Sequence, residues 1–338
     1  MPKKSVNWGI LSTANIGTEK VIPAIQKSPS SLVTAIASRD SARAEQAASR
    51  LGIAKTYNSY EDLLNDPDID VIYNPLPNDM HVEWTLAAAK AGKHVLCEKP
   101  IGLDTEDAKR LIAARDKSGK QVLEAFMVRH HPQWLEARKI VESGQIGQLT
   151  TVQSIFTYFN ADPNNVRNKK DIGGGGLLDI GCYCVVGPRF VTAKEPVRVV
   201  SLMDKDPKFG TDRLVSGMLD FGSGLQASFV CGTQSAAVQR VHILGSEGRI
   251  EILMPFNPIP ENPAIIRVAG QKQPGFDEAR EIKFPVCNHY TLQGESATAI
   301  FAGESPVDYP IEDAIMNMQI LDALARSAKT GSWEMVKS

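Results

Sequence analysis

The segment that decides the fold is "VNWGILSTANIG", Val6 to Gly17. It begins as a short apolar run of strand type and ends in small residues that open a helix. The frame Ser12-Thr13-Ala14-Asn15-Ile16-Gly17 has the spacing of a G-x-G-x-x-G turn, in which glycines let backbone N–H groups approach a phosphate. Only the last of those glycines is present. Serine and alanine are the smallest substitutes, and Gly17 keeps the position where helix meets strand. Taken alone, the turn reads equally well as a phosphate cradle or as a plain strand-to-helix connection.

The surrounding chain repeats the pattern. "LVTAIA" (32–37) reads as a buried strand and "DSARAEQAASRLG" (40–52) as a helix capped by Asp40 or Ser41 and ended by Gly52. "VIYNPLP" (71–77) starts as a strand that prolines break, and "NDMHVEWTLAAAKAG" (78–92) is helical. "HVLCEKP" (94–100), "DTEDAKRLIAARDKSG" (104–119) and "QVLEAF" (121–126) continue as strand, helix, strand. This alternation predicts an α/β fold, a doubly wound parallel Rossmann sheet over residues 1–126. After about residue 150 the texture changes to strand-like runs such as "LTTVQSIFTYF", "DRLVSGMLDF" and "VQRVHILGS", with helices expected only at 176–191 and 311–329. Residues 127–338 are therefore expected to form an α+β domain with a large, mainly antiparallel open sheet. The polar, glycine-rich stretch "NADPNNVRNKKDIGGGG" (160–176) reads as a mobile lid loop.

Bulk properties narrow the function. The 338 residues suffice for two domains, and a net charge of −2 gives no reason to expect nucleic acid or an anionic membrane as partner. No apolar run approaches the ~20 residues of a membrane span. The basic pair Lys3-Lys4 has no apolar segment of export type behind it. Five cysteines, an odd number, do not read as a disulfide framework, so a cytoplasmic location with reduced thiols is expected. Neither His130-His131 nor Cys182-x-Cys184 has the spacing of a closed zinc site, and no metal is expected.

A doubly wound sheet binds its ligand outside the carboxyl ends of its strands. Those ends carry Ser12, Thr13, Ala14, Asn15 and Ile16 after the first strand, and Ser38 and Arg39 after the second. A guanidinium there, in place of the usual acid, suits a ribose 2′-phosphate and argues for NADP, with NAD as the alternative because Asp40 follows. Asn74, Pro75 and Leu76, with His81 in the next turn, are expected along the nicotinamide ribose. Glu98 and Lys99 stand just before Pro100, and a charged pair at the tip of a buried strand is costly unless used. The Lys99 ammonium can hold a substrate oxygen or lower a neighbour's pKa; a structural ion pair is the alternative. Arg129 and His130 follow the last strand and can hydrogen-bond substrate hydroxyls. Trp134 reads more as core than as a sugar platform.

Together these residues resemble one family, the oxidoreductases named for glucose-fructose oxidoreductase, inositol dehydrogenase and the rhizopine catabolism protein (Gfo/Idh/MocA). The resemblance covers essentially the whole chain. It rests on the fingerprint turn, "EKP" at 98–100, "EAFMVRHHPQW" at 124–134, "GGGGLLDIGCY" at 173–183 and "LGSEGRIEI" at 244–252. It implies that Lys99 is the catalytic lysine and that Asp179 binds a substrate hydroxyl. Tyr183 stands where many members have histidine, which resembles the branch of glucose-fructose oxidoreductase, NADP-dependent D-xylose dehydrogenase and dimeric dihydrodiol dehydrogenase. The resemblance also implies a homodimer, or a dimer of dimers, through the second domain's sheet. Asp179 and Tyr183 are spaced i, i+4 on one expected helix and so share a face. A tyrosine titrating near pH ~10 needs a cation beside it to act near neutrality, and Lys99 can supply one. The expected activity is NADP-dependent oxidation of an aldose such as D-xylose or D-glucose at C1 to the lactone. The alternatives are a sugar–sugar oxidoreductase that retains its NADP, a trans-dihydrodiol dehydrogenase, and a non-catalytic NADP-sensing regulator.

Overall fold

Strand β1 (Val6–Leu11) runs parallel to β2 (Ser31–Ala37) on one side and to β4 (Val71–Asn74) on the other. With β3 (Lys55–Tyr57), β5 (His94–Glu98) and β6 (Val122–Ala125) they form a six-stranded sheet in the order β3-β2-β1-β4-β5-β6, parallel throughout. The order reverses between β1 and β4, which is where such sheets take their ligand. Burial on both faces explains the near-continuous apolar strands: every residue of β4 is buried, as are Trp8, Ile10 and Leu11 of β1. Gly9 marks a close approach, since a Cβ there would lie 2.8 Å from Leu63 Cδ2.

The computed structural model describes residues 5–275 and 278–336. The chain divides into two units, Met1–Met127 with Asn288–Ile315 and Val128–Cys287 with Met316–Ser338. The first unit carries α1 (Ile22–Ile25), α2 (Ser41–Leu51), α3 (Tyr60–Asn65), α4 (His81–Lys90) and α5 (Thr105–Ser118). Asp40, not Ser41, caps α2: its carboxylate accepts from Arg43 N at 3.2 Å, and Gly52 at φ +66° ends the helix.

The second unit begins with α6 (Pro132–Glu142) and α7 (Cys182–Thr192). Its sheet contains β7 (Leu149–Phe159), β8 (Arg198–Lys205), β9 (Asp212–Asp220), β10 (Gln226–Gly232), β11 (Gln234–Gly245), β12 (Gly248–Ile252), β13 (Ile265–Gly270), β14 (Arg280–Lys283) and β15 (Glu334–Met335). The order is β14-β13-β12-β11-β7-β10-β9-β8-β15, and only the β7–β10 pair is parallel. Phe156, Val215, Phe229 and Ile243 point inward, whereas Leu202 at 78% exposure and Met218 at 42% lie on the open face.

One boundary differs from the sequence reading. Helix α8 (His289–Phe301), expected neither as a helix nor in the first domain, packs on the parallel sheet. Phe301 meets Trp8 edge-on with ring centroids 5.8 Å apart, the Thr298 and Ser31 hydroxyls are 2.7 Å apart, and Gly294 lies against Ile25. The last helix, α9 (Ile311–Thr330), takes up the expected 311–329 segment, and Leu324 O accepts from Ser201 Oγ on β8 at 2.6 Å. No helix among the described residues is long and apolar enough to cross a membrane.

Candidate functional site

In the first unit the turn after β1 has the expected form, by an unexpected route. Ser12 occupies the left-handed region at φ +72°, where the first glycine of the motif normally belongs. Its Oγ folds back to accept from Ala14 N at 3.2 Å, and its N–H donates to Ala37 O at 2.9 Å. Among the described residues no backbone acceptor is present for the N–H groups of Asn15 and Ile16, which open the π-turn Gly17–Val21 leading into α1. Gly17 is less constrained than its place in the motif implies. A Cβ there would make ordinary contacts of 3.6 Å with Pro75 and Tyr73.

At the tip of β2, Ser38 is buried and accepts from Asp40 N at 3.2 Å. Arg39 is exposed. Burial raises the Tyr60 phenol's pKa, and the Arg39 guanidinium beside it counters that push. Asp40 is engaged as the cap of α2.

The segments after β4 and β5 are laced together. Asn74 is fully buried, donating to His81 O at 3.1 Å and accepting from Leu76 N at 3.3 Å. His81 is buried too, with Nδ1 2.7 Å from Pro100 O and Nε2 2.7 Å from Leu76 O. Burial holds its pKa below the ordinary value, while the two carbonyls pull the other way. Both side chains thus brace the loops. The Glu98 carboxylate accepts from Tyr73 OH at 2.7 Å, the Lys99–Pro100 peptide is cis, and Ile101 N donates to Glu124 at 2.8 Å. The backbone carrying Lys99 is therefore fastened on both sides by neighbouring strands.

In the second unit, Asp179 and Tyr183 lie where a π-turn, Leu177–Gly181, runs into α7. The four glycines before it are shaped by their neighbours. A Cβ on Gly174 would lie 2.6 Å from Arg167 O and Lys169 O. Gly175, at φ +128°, would put one 2.0 Å from Asp212 Oδ1. Asp212, at the start of β9, accepts from Leu177 N at 2.5 Å and so caps this helix from a distant strand. Burial pushes its pKa up to about 6 against the pull of those backbone donors.

Asp179 is nearly buried and already engaged: Tyr158 OH donates to its Oδ2 at 2.6 Å and Arg167 Nε donates to the same oxygen at 3.0 Å. Tyr158 has its pKa raised, first by burial and then by the Asp179 charge. The Asp179 charge holds the Arg167 pKa above its ordinary value against burial, with smaller contributions from Tyr158 and Tyr183. The Tyr183 ring packs on Phe156 and Phe256 at centroid distances of 5.8 and 5.7 Å. The segment 160–176, read as a lid, folds back on itself, Asn168 Nδ2 donating to Asp162 O at 2.9 Å and Gly175 N to Arg167 O at 2.9 Å.

Tyr158 and Arg167 were missed by the sequence reading. Strand alternation puts Tyr158 on the inward face with Phe156, where a phenol needs a partner, and that signal was available. Arg167 sits among lysines and asparagines and reads as a solvated cation. Of the remaining expected site residues, Arg129 is buried, and burial, followed by the Arg129 charge, pushes His130 down to about 4. His131 caps α6, accepting from Gln133 N at 3.2 Å, and Trp134 is core, donating to Pro255 O at 2.7 Å. No cluster of metal-ligating side chains occurs among the described residues.

Comparison with known proteins agrees with this layout. Residues 6–126 match the oxidoreductase family with an NAD-binding Rossmann fold, Gfo/Idh/MocA, and residues 134–251 match the Gfo/Idh/MocA C-terminal domain. An uncharacterized oxidoreductase of Rhizobium meliloti is 44% identical over 98% of this chain and 99% of its own length. A D-xylose 1-dehydrogenase (NADP(+)) of Haloferax volcanii is 36% identical over 96% of this chain and 98% of its own. The crystal structure of a 3-ketoreductase from Actinomadura kijaniata, in complex with NADP and TDP-benzene, superposes with a TM-score of 0.89 at 28% identity, covering 96% of this chain and 98% of that one.

Proposed function

Because the chain belongs to the Gfo/Idh/MocA oxidoreductase family, we propose that it is an NADP-dependent sugar dehydrogenase oxidising C1 of an aldopyranose such as D-xylose to the lactone. The observation that carries this reading is the polar cluster Tyr158–Asp179–Arg167 beside Tyr183, a set suited to holding a hydroxylated substrate next to a phenol. The small-residue turn Ser12–Ile16, with its open helix-start N–H groups, fits a pyrophosphate. Ser38 and the exposed Arg39 fit a 2′-phosphate. When bound, the nicotinamide supplies the hydride acceptor. The chain's own side chains manage the proton: Asp179 orients a hydroxyl, Tyr183 takes the proton of the reacting C1 hydroxyl, and the Lys99 ammonium favours the phenolate that receives it.

The opposite direction, reduction of a keto sugar, is the second reading. It is favoured by the structural likeness to the 3-ketoreductase and uses the same residues with Tyr183 as acid. Absorbance at 340 nm separates the two, with NADP or NAD and a panel of pentoses, hexoses and cyclic diols, or with NADPH and keto sugars. Tyr183→Phe keeps the ring packing on Phe156 and Phe256 and removes only the hydroxyl. It should cut turnover about 100-fold or more, the scale of general acid–base catalysis, with NADP affinity near normal. A nearly unchanged rate overturns the assignment.

A further inference from the structure

The guanidinium of Arg167 has one engaged nitrogen and two that are not. Nε donates to Asp179 Oδ2 at 3.0 Å, and among the described residues neither terminal nitrogen has a partner. Its side chain is 44% exposed, against 12% for Asp179. Its backbone is pinned on both sides: the N–H donates to Asn165 Oδ1 at 3.1 Å and the carbonyl accepts from Gly175 N at 2.9 Å. The arginine is thus aimed, and its remaining donors form a planar fork beside a carboxylate. Charge decides what the fork takes. Arg167 and Asp179 neutralise each other, so an anionic ligand would gain a cation and meet an anion at the same place. A neutral pair of adjacent hydroxyls meets no such penalty: one donates a hydrogen bond to the Asp179 carboxylate, and the other accepts one from Arg167. We infer that Arg167 is a specificity-determining residue that, with Asp179, reads a vicinal diol of a neutral sugar. This rests on the dehydrogenase reading above.

The test compares D-xylose with its 2-, 3- and 4-deoxy analogues in the wild type, Arg167→Met and Arg167→Lys. In the wild type, loss of one hydroxyl should lower kcat/KM at least tenfold. In Arg167→Met the parent sugar should fall by a similar factor, and removal of that same hydroxyl should then cost nothing further. Arg167→Lys keeps the charge beside Asp179 without the fork and should keep only part of the discrimination. A variant that is slower but discriminates as the wild type does overturns the inference, as does wild-type preference for a uronic acid over the neutral sugar. If the wild type oxidises no sugar, the dehydrogenase reading fails by itself. Calorimetric binding of the same sugars then judges Arg167: equal affinity in wild type and Arg167→Met overturns its role, and a diol-dependent loss supports it.

Discussion

At Ser12 the fingerprint keeps its shape without its first glycine. A left-handed backbone costs an L-residue about 1–2 kcal/mol, and the hydrogen bond from Ala14 N to Ser12 Oγ at 3.2 Å offsets part of that. Ser12→Gly relieves the strain, loses a bond worth about 0.5–1.5 kcal/mol, and frees the unfolded chain by about 0.5–1 kcal/mol. The net change in unfolding free energy should stay within about 1 kcal/mol. Ser12→Val keeps the strain, loses the bond and adds a β-branched side chain, and should destabilise by about 2 kcal/mol or more. Urea unfolding of both variants checks the pair, and equal losses would remove this account of the turn. Other residues changed meaning in the structure. Asn74 and His81 were legible as residues of importance after β4, yet Asn74 bonds within its own turn and to Thr85, and His81 bridges the loops after β4 and β5. Side-chain type and position along a strand do not reveal which way a buried ring points.

At the scale of elements, what was legible followed from burial. Parallel strands covered on both faces read as apolar runs, and α2 and α5 carry Asp and Gly caps, so much of the order of the first unit could be read directly. The three-residue β3 and the helix α8 could not. The segment "HYTLQGESATAIF" has little amphipathic pattern, and its place is fixed by contacts with Trp8, Ile25 and Ser31, more than 250 residues earlier in the chain. Likewise Asp179 and Tyr183 stood in a recognisable motif, whereas Arg167 and Tyr158 reach Asp179, and Asp212 reaches Leu177, across separations of 12, 21 and 35 residues. Asp212 gives this element a pH signature. Its carboxyl is raised to about 6 in the fold, against about 4 in an unfolded chain. Between those values the fold holds a proton that the unfolded chain has lost, so this group's contribution to stability grows as pH falls through 6 and is lost as pH rises. Above pH 6 the buried carboxylate counts against the fold by about 1–3 kcal/mol. Asp212→Asn stays neutral at every pH, so its stability relative to wild type should be about 1–3 kcal/mol more favourable at pH 7.5 than at pH 4.5. Urea unfolding at the two pH values measures the gap, and a gap that stays constant refutes a raised pKa.

At the scale of the whole molecule, one face of the second unit's sheet has no covering layer among the described residues. Strand register sets out that face. One row runs Leu202, Ser216, Val230, Ile155, Arg240; the next runs Val200, Met218, Ser228, Gln153, His242, Glu251, Arg267. The β8–β9 end is apolar, with Leu202 78%, Leu214 39% and Met218 42% exposed. The β11–β13 end is charged, with Arg240 and Arg267 both near Glu251, at 3.5 and 3.6 Å. A contiguous apolar patch beside a charged one suits a self-complementary two-fold contact better than bare solvent. We therefore expect a homodimer through this face. Leu202→Asp puts a carboxylate at the most exposed apolar position of the patch. In an isolated protomer it should change stability by no more than about 0.5 kcal/mol, as surface substitutions do. In a dimer it would bury an unpaired charge at the contact, a cost of several kcal/mol. Sedimentation velocity at micromolar concentration should give a dimer for the wild type and a monomer of unchanged helix content for Leu202→Asp. A monomeric wild type, or a variant that stays dimeric, would place the contact elsewhere or remove it.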